Sequence, residues 1–424
     1  MESGSGDNGG IVISAPGKVI LHGEHAVVYG KVALAVSLNL RTYLELKDTE
    51  NNEVRLDLPD IELHRVWKLE DMSVIFESFT GGDITQPGPP TSEQLAHLKE
   101  LAGIKKEEDS EVKYLAVIAF LYIYLGICSH KRKSKLPSLC LRVNSNLPTG
   151  AGLGSSAAFS VCLASSLLTY CGAVKTLDVE KESHFGRWSQ ENLETINNWA
   201  YEAERIIHGT PSGIDNSIST YGGAINFRRI TDKDGKVTPK IVPLERVPLL
   251  RILLVNTKVP RSTKVLVANV RKKLEKYPDI IGPILDSIEG IANTCEKLFA
   301  DSGDNNDNTA AIEELEELID INQHHLASIG VSHPALQQVC QISAKYGLHC
   351  KLTGAGGGGC AVTLLRKDTS QGSIDEIQKE LKSIGFDCWE TSIGGPGVTL
   401  HRNIHRELSE GASAAIPKAL LEGL

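Results

Sequence analysis

The sequence predicts an α+β fold divided into two domains, and three observations support that reading. Runs of period-two alternation and runs of helical spacing both recur along the 424 residues. Two glycine-rich stretches, Pro148–Gly154 and Gly354–Gly359, each follow a strand-like run. The pattern changes character near Asp232–Gly235, where a D-G turn signal lies between alternating segments. The expected organisation is a flexible lead-in over residues 1–10, a first domain over 11–230 and a second over 231–424. No period of roughly 20–50 residues recurs, which argues against solenoids and propellers.

The elements follow in order. "IVISAPG" and "LRTYLELK" alternate as strands, with a Pro-Gly turn expected before Lys18. "GGDITQPGPPT" from Gly81 reads as a surface loop. A helix is expected over Val112–Cys128. Its apolar run "YLAVIAFLYIYLGIC" is about 15 residues, short of the roughly 20 that a membrane span needs, so a buried helix is expected. "SLCLRVNSNLP" reads as a strand, and "SAAFSVCLASSLLTYCG" as a helix stopped by Gly172. "SQENLETINNWAYEAERIIHG" reads as another helix, with Ser189 as a weak cap. In the second domain, "LLRILLVNTKVPRST" reads as a buried strand and a polar loop. Short strands then alternate with helices as far as "GVTLHRN", "DSGDNNDNT" being a solvated loop and "RKKLEKYPD" a solvated helix face.

The formal net charge of −9, without a long basic run, argues against nucleic-acid binding. Nine cysteines at no C-x-x-C spacing read as reduced core residues. The opening "MESGSGDNGG" lacks the basic and apolar regions of a signal peptide, so a cytoplasmic protein is expected.

Four stretches carry chemistry. "PTGAGLGSSAAFS" sets three glycines against a helix start. Free backbone amides and the helix dipole there would suit phosphate, whereas a merely tight turn would need fewer glycines. It is neither a G-x-x-x-x-G-K-[ST] loop nor a Rossmann fingerprint in context. In "SAPGKVILHGEHAVVYG", Lys18, His22, Glu24 and His25 are polar residues among apolar ones. They could be a substrate-facing cluster, satisfied structural groups or, lacking a third ligand, a poor metal site. In "EAERIIHGTPSGIDNSIS", Glu204 on a helix could bind a cation. Asp215 could act as a base or as a helix N-cap. "KLTGAGGGGCAVTLL" packs five glycines into six positions, favouring close backbone approach over a floppy hairpin.

Together these stretches resemble the GHMP small-molecule kinases. "PTGAGLGSSAA" is similar to that family's nucleotide loop and "KLTGAGGGG" to its third motif. "APGKVILHGEHAVVYGKVALA", "ERIIHGTPSGIDN" and "NTKVPRST" narrow the resemblance to the branch that phosphorylates mevalonate in animals. The resemblance implies a first domain like domain 2 of ribosomal protein S5, a ferredoxin-like second domain, and a cleft between them for ATP and mevalonate. It assigns Asp215 as general base with Lys18 beside it. Ser156 and Glu204 become ligands of Mg²⁺. Gly150, Ala151, Gly152, Leu153, Gly154, Ser155 and Ser156 form the phosphate loop, with Ser145 as a nucleotide contact. His25, Glu24, Ser212, Thr263 and Arg261 lie around mevalonate, and Gly354, Gly356, Gly357 and Gly358 form the third motif. Asp60 departs from the pattern, which has Asn in a nucleotide-contacting loop. The resemblance further implies a homodimer and inhibition by prenyl diphosphates at the ATP site. The expected reaction is transfer of the γ-phosphoryl group to the C5 hydroxyl of mevalonate. The alternatives are another alcohol kinase of the family and a non-catalytic sensor on the same fold.

Overall fold

A computed structural model describes residues 10–103, 110–131, 135–177, 185–231, 237–301 and 309–401. Residues 1–9 of the expected 1–10 lead-in, the D-G turn and most of the Asp301 loop lie outside these residues.

The centre is an antiparallel ribbon of β1 (Ile11–His22) and β2 (Ala33–Asp48). The Pro-Gly pair does not turn the chain. β1 runs through it, and a register shift between Pro16 and Gly17 marks a bulge. β3 (Glu53–Leu58) and β4 (Leu63–Lys68) form a hairpin, followed by α1 (Leu69–Phe76). The Gly/Pro-rich loop leads into α2 (Ser92–Ala102), where Thr91 and Gln94 form a reciprocal capping box. Next come α3 (Glu111–Lys131), β5 (Leu139–Ser145), α4 (Ser155–Tyr170), the short β6 (Phe185–Gly186), α5 (Gln190–His208) and α6 (Ile214–Tyr221). α3 is long and apolar enough to cross a membrane, yet most of it is packed inside the protein. Phe120, Tyr124 and Ile127 on it are fully buried, and its Gly126 lies against the Trp199 ring of α5. Ser189 caps α5, its side chain accepting the Asn192 N–H.

β7 (Ala224–Thr231) pairs with β8 (Val237–Pro243), so a boundary at residue 230 would cut a hairpin of the first layer. The second unit begins at β9 (Leu250–Asn256). There follow α7 (Thr263–Lys276), α8 (Pro278–Asp301), α9 (Thr309–Ser328), α10 (Pro334–Lys345), β10 (Cys350–Leu352), β11 (Cys360–Leu364), α11 (Gln371–Ser383), β12 (Asp387–Ile393) and β13 (Thr399–His401). The strand order β10-β11-β9-β12, antiparallel throughout with helices between β9 and β10 and between β11 and β12, is ferredoxin-like.

The two halves share one sheet. β12 meets β2 at Ile393 and Leu38, and β13 returns to pair with β1. Arg41 of β2, fully buried, fixes this return. Its guanidinium donates to the Ser14 Oγ at 2.8 Å and to the carbonyls of Pro396 and Gly397.

Candidate active site

The glycine-rich turn between β5 and α4 runs in left-handed conformation at Gly150, Gly152 and Gly154. Gly154 is the N-cap of α4, and no side chain caps the helix, so its first amides remain available to an anion. The Lys18 N–H donates to the Leu153 carbonyl at 2.8 Å, which ties this turn to β1. The Lys18 ammonium then reaches the Asp215 carboxylate at 3.4 Å. Asp215 is not a cap, because Gly213 holds that place. Asp215 stands in the first turn of α6 with its side chain 36% exposed.

α5 brings a second carboxylate, Glu204, against the first turns of α4. The Ser156 Oγ donates to Glu204 at 3.2 Å and lies 3.0 Å from the His208 Nε2, and the Ser160 Oγ donates to the other Glu204 oxygen. Burial, reinforced by the charge of Asp215, pushes the Glu204 acid up to about 8. A buried carboxylate beside a hydroxyl, with a second carboxylate near, fits a hard divalent cation that takes one or two protein ligands and fills its remaining positions from phosphate and water. Among the described residues no group of three His, Cys, Asp or Glu is placed to hold a metal unaided.

One cavity of about 700 Å³ joins these parts. Gly150, Gly152, Gly154, Ser156, His208 and Asp215 are among its lining residues, as are the apolar Leu58, Ile61, Leu115, Val143, Phe159 and Ile207. Polar groups suited to phosphate thus share the cavity with apolar side chains suited to a flat base. Asp60 and Ser145 also line the cavity, and the Ser145 N–H donates to the Asp60 carboxylate at 2.6 Å. The Ser145 hydroxyl is paired with Thr42 and accepts the Leu147 N–H.

The residues expected around the substrate fall in different places. Arg261 bridges the two glycine loops: its guanidinium donates to the Ala151 carbonyl at 2.6 Å and lies against Gly359. A Cβ at Gly359 would fall 1.5 Å from that guanidinium, so a side chain there would have to displace it, and the φ of 72° favours glycine as well. Gly354, Gly356, Gly357 and Gly358 lie in the same loop, between β10 and β11, and the Gly357 N–H is held by the Val331 carbonyl at 2.7 Å. His25, at a φ of 61°, donates its Nε2–H to the Ala355 carbonyl at 2.8 Å. Burial keeps its ring neutral by lowering its pKa. Glu24 does not face the cavity: it is fully buried in an ion pair with Lys351 and accepts a hydrogen bond from Asn322. The Ser212 Oγ accepts the Ile214 N–H, shaping the turn before Asp215, and Thr263 is exposed at the start of α7.

Sequence reasoning missed His208, Lys351 and the apolar wall. His208 had a visible signal, four residues beyond Glu204 on one helix face. Lys351 had none, because its partner is 327 positions away.

An amide-lined phosphate cradle, a lysine–aspartate pair and a ferredoxin-like half sharing one sheet define a small-molecule kinase of the GHMP type. Residues 118–223 match the family of GHMP kinases N-terminal domains, and residues 308–387 match the GHMP kinases C-terminal family. The chain is 51% identical to a mevalonate kinase of Bos taurus, over 92% of this chain and 95% of that protein. It is 51% identical to one of Homo sapiens with the same coverage and 37% identical to one of Dictyostelium discoideum. A solved mevalonate kinase of L. major in complex with R-mevalonate shares the fold, with a TM-score of 0.61 at 23% identity over 94% of this chain and 99% of that one. The chain belongs to the mevalonate kinase family.

Proposed function

We propose that the protein transfers the γ-phosphoryl group of ATP to the C5 hydroxyl of mevalonate, giving 5-phosphomevalonate and ADP. One observation carries the reading: the uncapped start of α4 and Asp215, which Lys18 pairs from β1, meet in a single cavity that is also lined by apolar side chains.

Phosphoryl transfer depends on alignment and charge neutralisation more than on covalent chemistry. The amides of the glycine turn and of the α4 start bind the triphosphate. The apolar wall takes the adenine, and Asp60 offers a carboxylate beside it. An alcohol is too weak an acid to ionise freely, so Asp215 accepts its proton as the oxygen attacks. The Lys18 ammonium, beside that carboxylate, stabilises charge developing on the transferred group. Ser156 and Glu204 would hold Mg²⁺, which when bound supplies neutralisation of the phosphate oxygens. Arg261, anchored between the glycine loops, keeps N–H donors for the substrate carboxylate, and His25, whose one ring N–H is given to Ala355, offers its Nδ1 as an acceptor for a substrate hydroxyl. The family resemblance extends the proposal to a homodimer, to inhibition by prenyl diphosphates at the ATP cavity and to a cytoplasmic setting.

The test is ADP release from ATP and Mg²⁺ with mevalonate, phosphomevalonate, galactose and homoserine offered in turn. The reading requires turnover with mevalonate well above the others. Preference for another alcohol would reassign the substrate, and no turnover with any would favour a sensor.

A further inference from the structure

α3 and α4 lie side by side with their amino ends at the nucleotide cavity: Val112, Leu115 and Ala116 of α3 and Ser155, Ser156 and Phe159 of α4 line it. Their far ends also meet. Cys128, near the carboxyl end of α3, and Cys171, the residue that ends α4, place their sulfurs 3.8 Å apart. Each sulfur is about 18 Å along its helix from the last residue of that helix that lines the cavity, Ala116 or Phe159, at 1.5 Å of rise per residue. Cys128 is buried, Cys171 is partly open to solvent, and both are thiols in this structure. Thiols at contact distance on neighbouring helices need only side-chain rotation and a small shift to reach the S–S bond length of about 2.05 Å.

We propose that Cys128 and Cys171 form a reversible disulfide under a hydroperoxide, and that the bond alters nucleotide binding through α3 and α4. The more open Cys171 is oxidised first. Its thiolate sulfur attacks one peroxide oxygen, the O–O bond breaks, and the departing oxygen leaves as water after taking a proton. Cys171 is then a sulfenic acid. The Cys128 sulfur attacks that sulfur, the S–O bond breaks, and a second water leaves with the Cys128 proton. Two thiols lose two electrons, and one hydroperoxide group takes them. The new bond draws the carboxyl ends of two packed helices together. Interiors close-packed on both sides transmit such a shift along a rigid helix. The apolar walls of the cavity and the start of the phosphate cradle therefore move relative to each other.

The effect on nucleotide rests on the proposed ATP site; the disulfide itself does not. The full chain, reduced and then treated with hydrogen peroxide, should lose two hydrogen atoms in its intact mass. It should also yield a proteolytic peptide pair joining Cys128 to Cys171, reversed by dithiothreitol. The KM for ATP should rise at least about threefold on oxidation, with a smaller change in kcat. Cys171→Ser should keep the reduced activity and lose both responses, and Cys171→Ala guards against a substitution effect of serine. Oxygen addition at Cys171 without a cross-link, or a cross-link among the other cysteines alone, overturns the disulfide. A Cys128–Cys171 cross-link with an unchanged KM for ATP overturns the coupling. Absence of turnover in the reduced protein would instead count against the ATP reading and leave the mass result standing.

Discussion

Lys18 and Asp215 show how far one side chain's role depends on another's backbone. Lys18 reaches Asp215 because its own N–H is held by the Leu153 carbonyl and because Gly154, which follows Leu153, presents no side chain to Lys18. The Lys18 side chain is only 12% exposed, so its charge acts on Asp215 with less screening than at an open surface. Lys18→Met should lower kcat at least about a hundredfold, the scale of losing one preorganised charge. Its Kd for ATP should change little, measured by calorimetry on the variant. The sequence made this pair legible through its two flanking motifs. Glu24 was not legible in the same way. A carboxylate between a glycine and a histidine looks like a site residue, but the chain turns it inward onto Lys351, and no local pattern announces a partner brought in by a distant strand. Burial raises the Glu24 acid, and the Lys351 ammonium opposes that rise. Asn322 completes the set by donating to Glu24.

At the scale of elements, the glycine turns are the readable part. Local backbone demands are written locally, so a glycine cluster between a strand and a helix locates an anion cradle without tertiary information. The contact between the two turns was not written locally. Arg261 holds the Ala151 carbonyl while lying against Gly359, and this joins the cradle of the first half to the third motif of the second. Gly359→Ala should push the guanidinium off that carbonyl. Steady-state kinetics should then show a KM for ATP raised by roughly tenfold, the cost of about one charge-assisted hydrogen bond. Melting temperature checks whether the variant is otherwise folded. The strand expected to stop at a Pro-Gly turn shows the opposite failure. Pro16 and Gly17 are turn formers by propensity, yet pairing with β2 on one side absorbs them as a bulge.

For the whole molecule, the decisive feature is that the last described strand pairs with the first. β13 pairs with β1, and His401 on it faces the Ser14 hydroxyl at 2.7 Å, which already accepts from Arg41. The direction of the Ser14–His401 bond follows the ring's tautomer. Burial, then the Arg41 charge, lowers the His401 pKa to about 3. The unfolded chain binds that proton near pH 6.5, so between about 6.5 and 3 it carries more protons than the folded one. Stability should rise with pH across that window and fall as acid is added. Denaturant melts over pH 4–7 should show a shallower slope in His401→Gln than in the parent. A two-domain boundary drawn at a change of pattern could not reveal this closure, because pairing between residues nearly 400 positions apart leaves no periodic trace.

The central claim is that one cavity grips the ATP phosphates by backbone while Asp215 removes the proton of the attacking alcohol. Asp215→Asn, nearly isosteric, tests both halves together: ATP affinity by calorimetry and kcat with saturating ATP, Mg²⁺ and mevalonate. The account predicts a Kd for ATP near that of the parent and a kcat lower by about 10²–10⁴-fold. A variant that turns over at nearly the parent rate would contradict it.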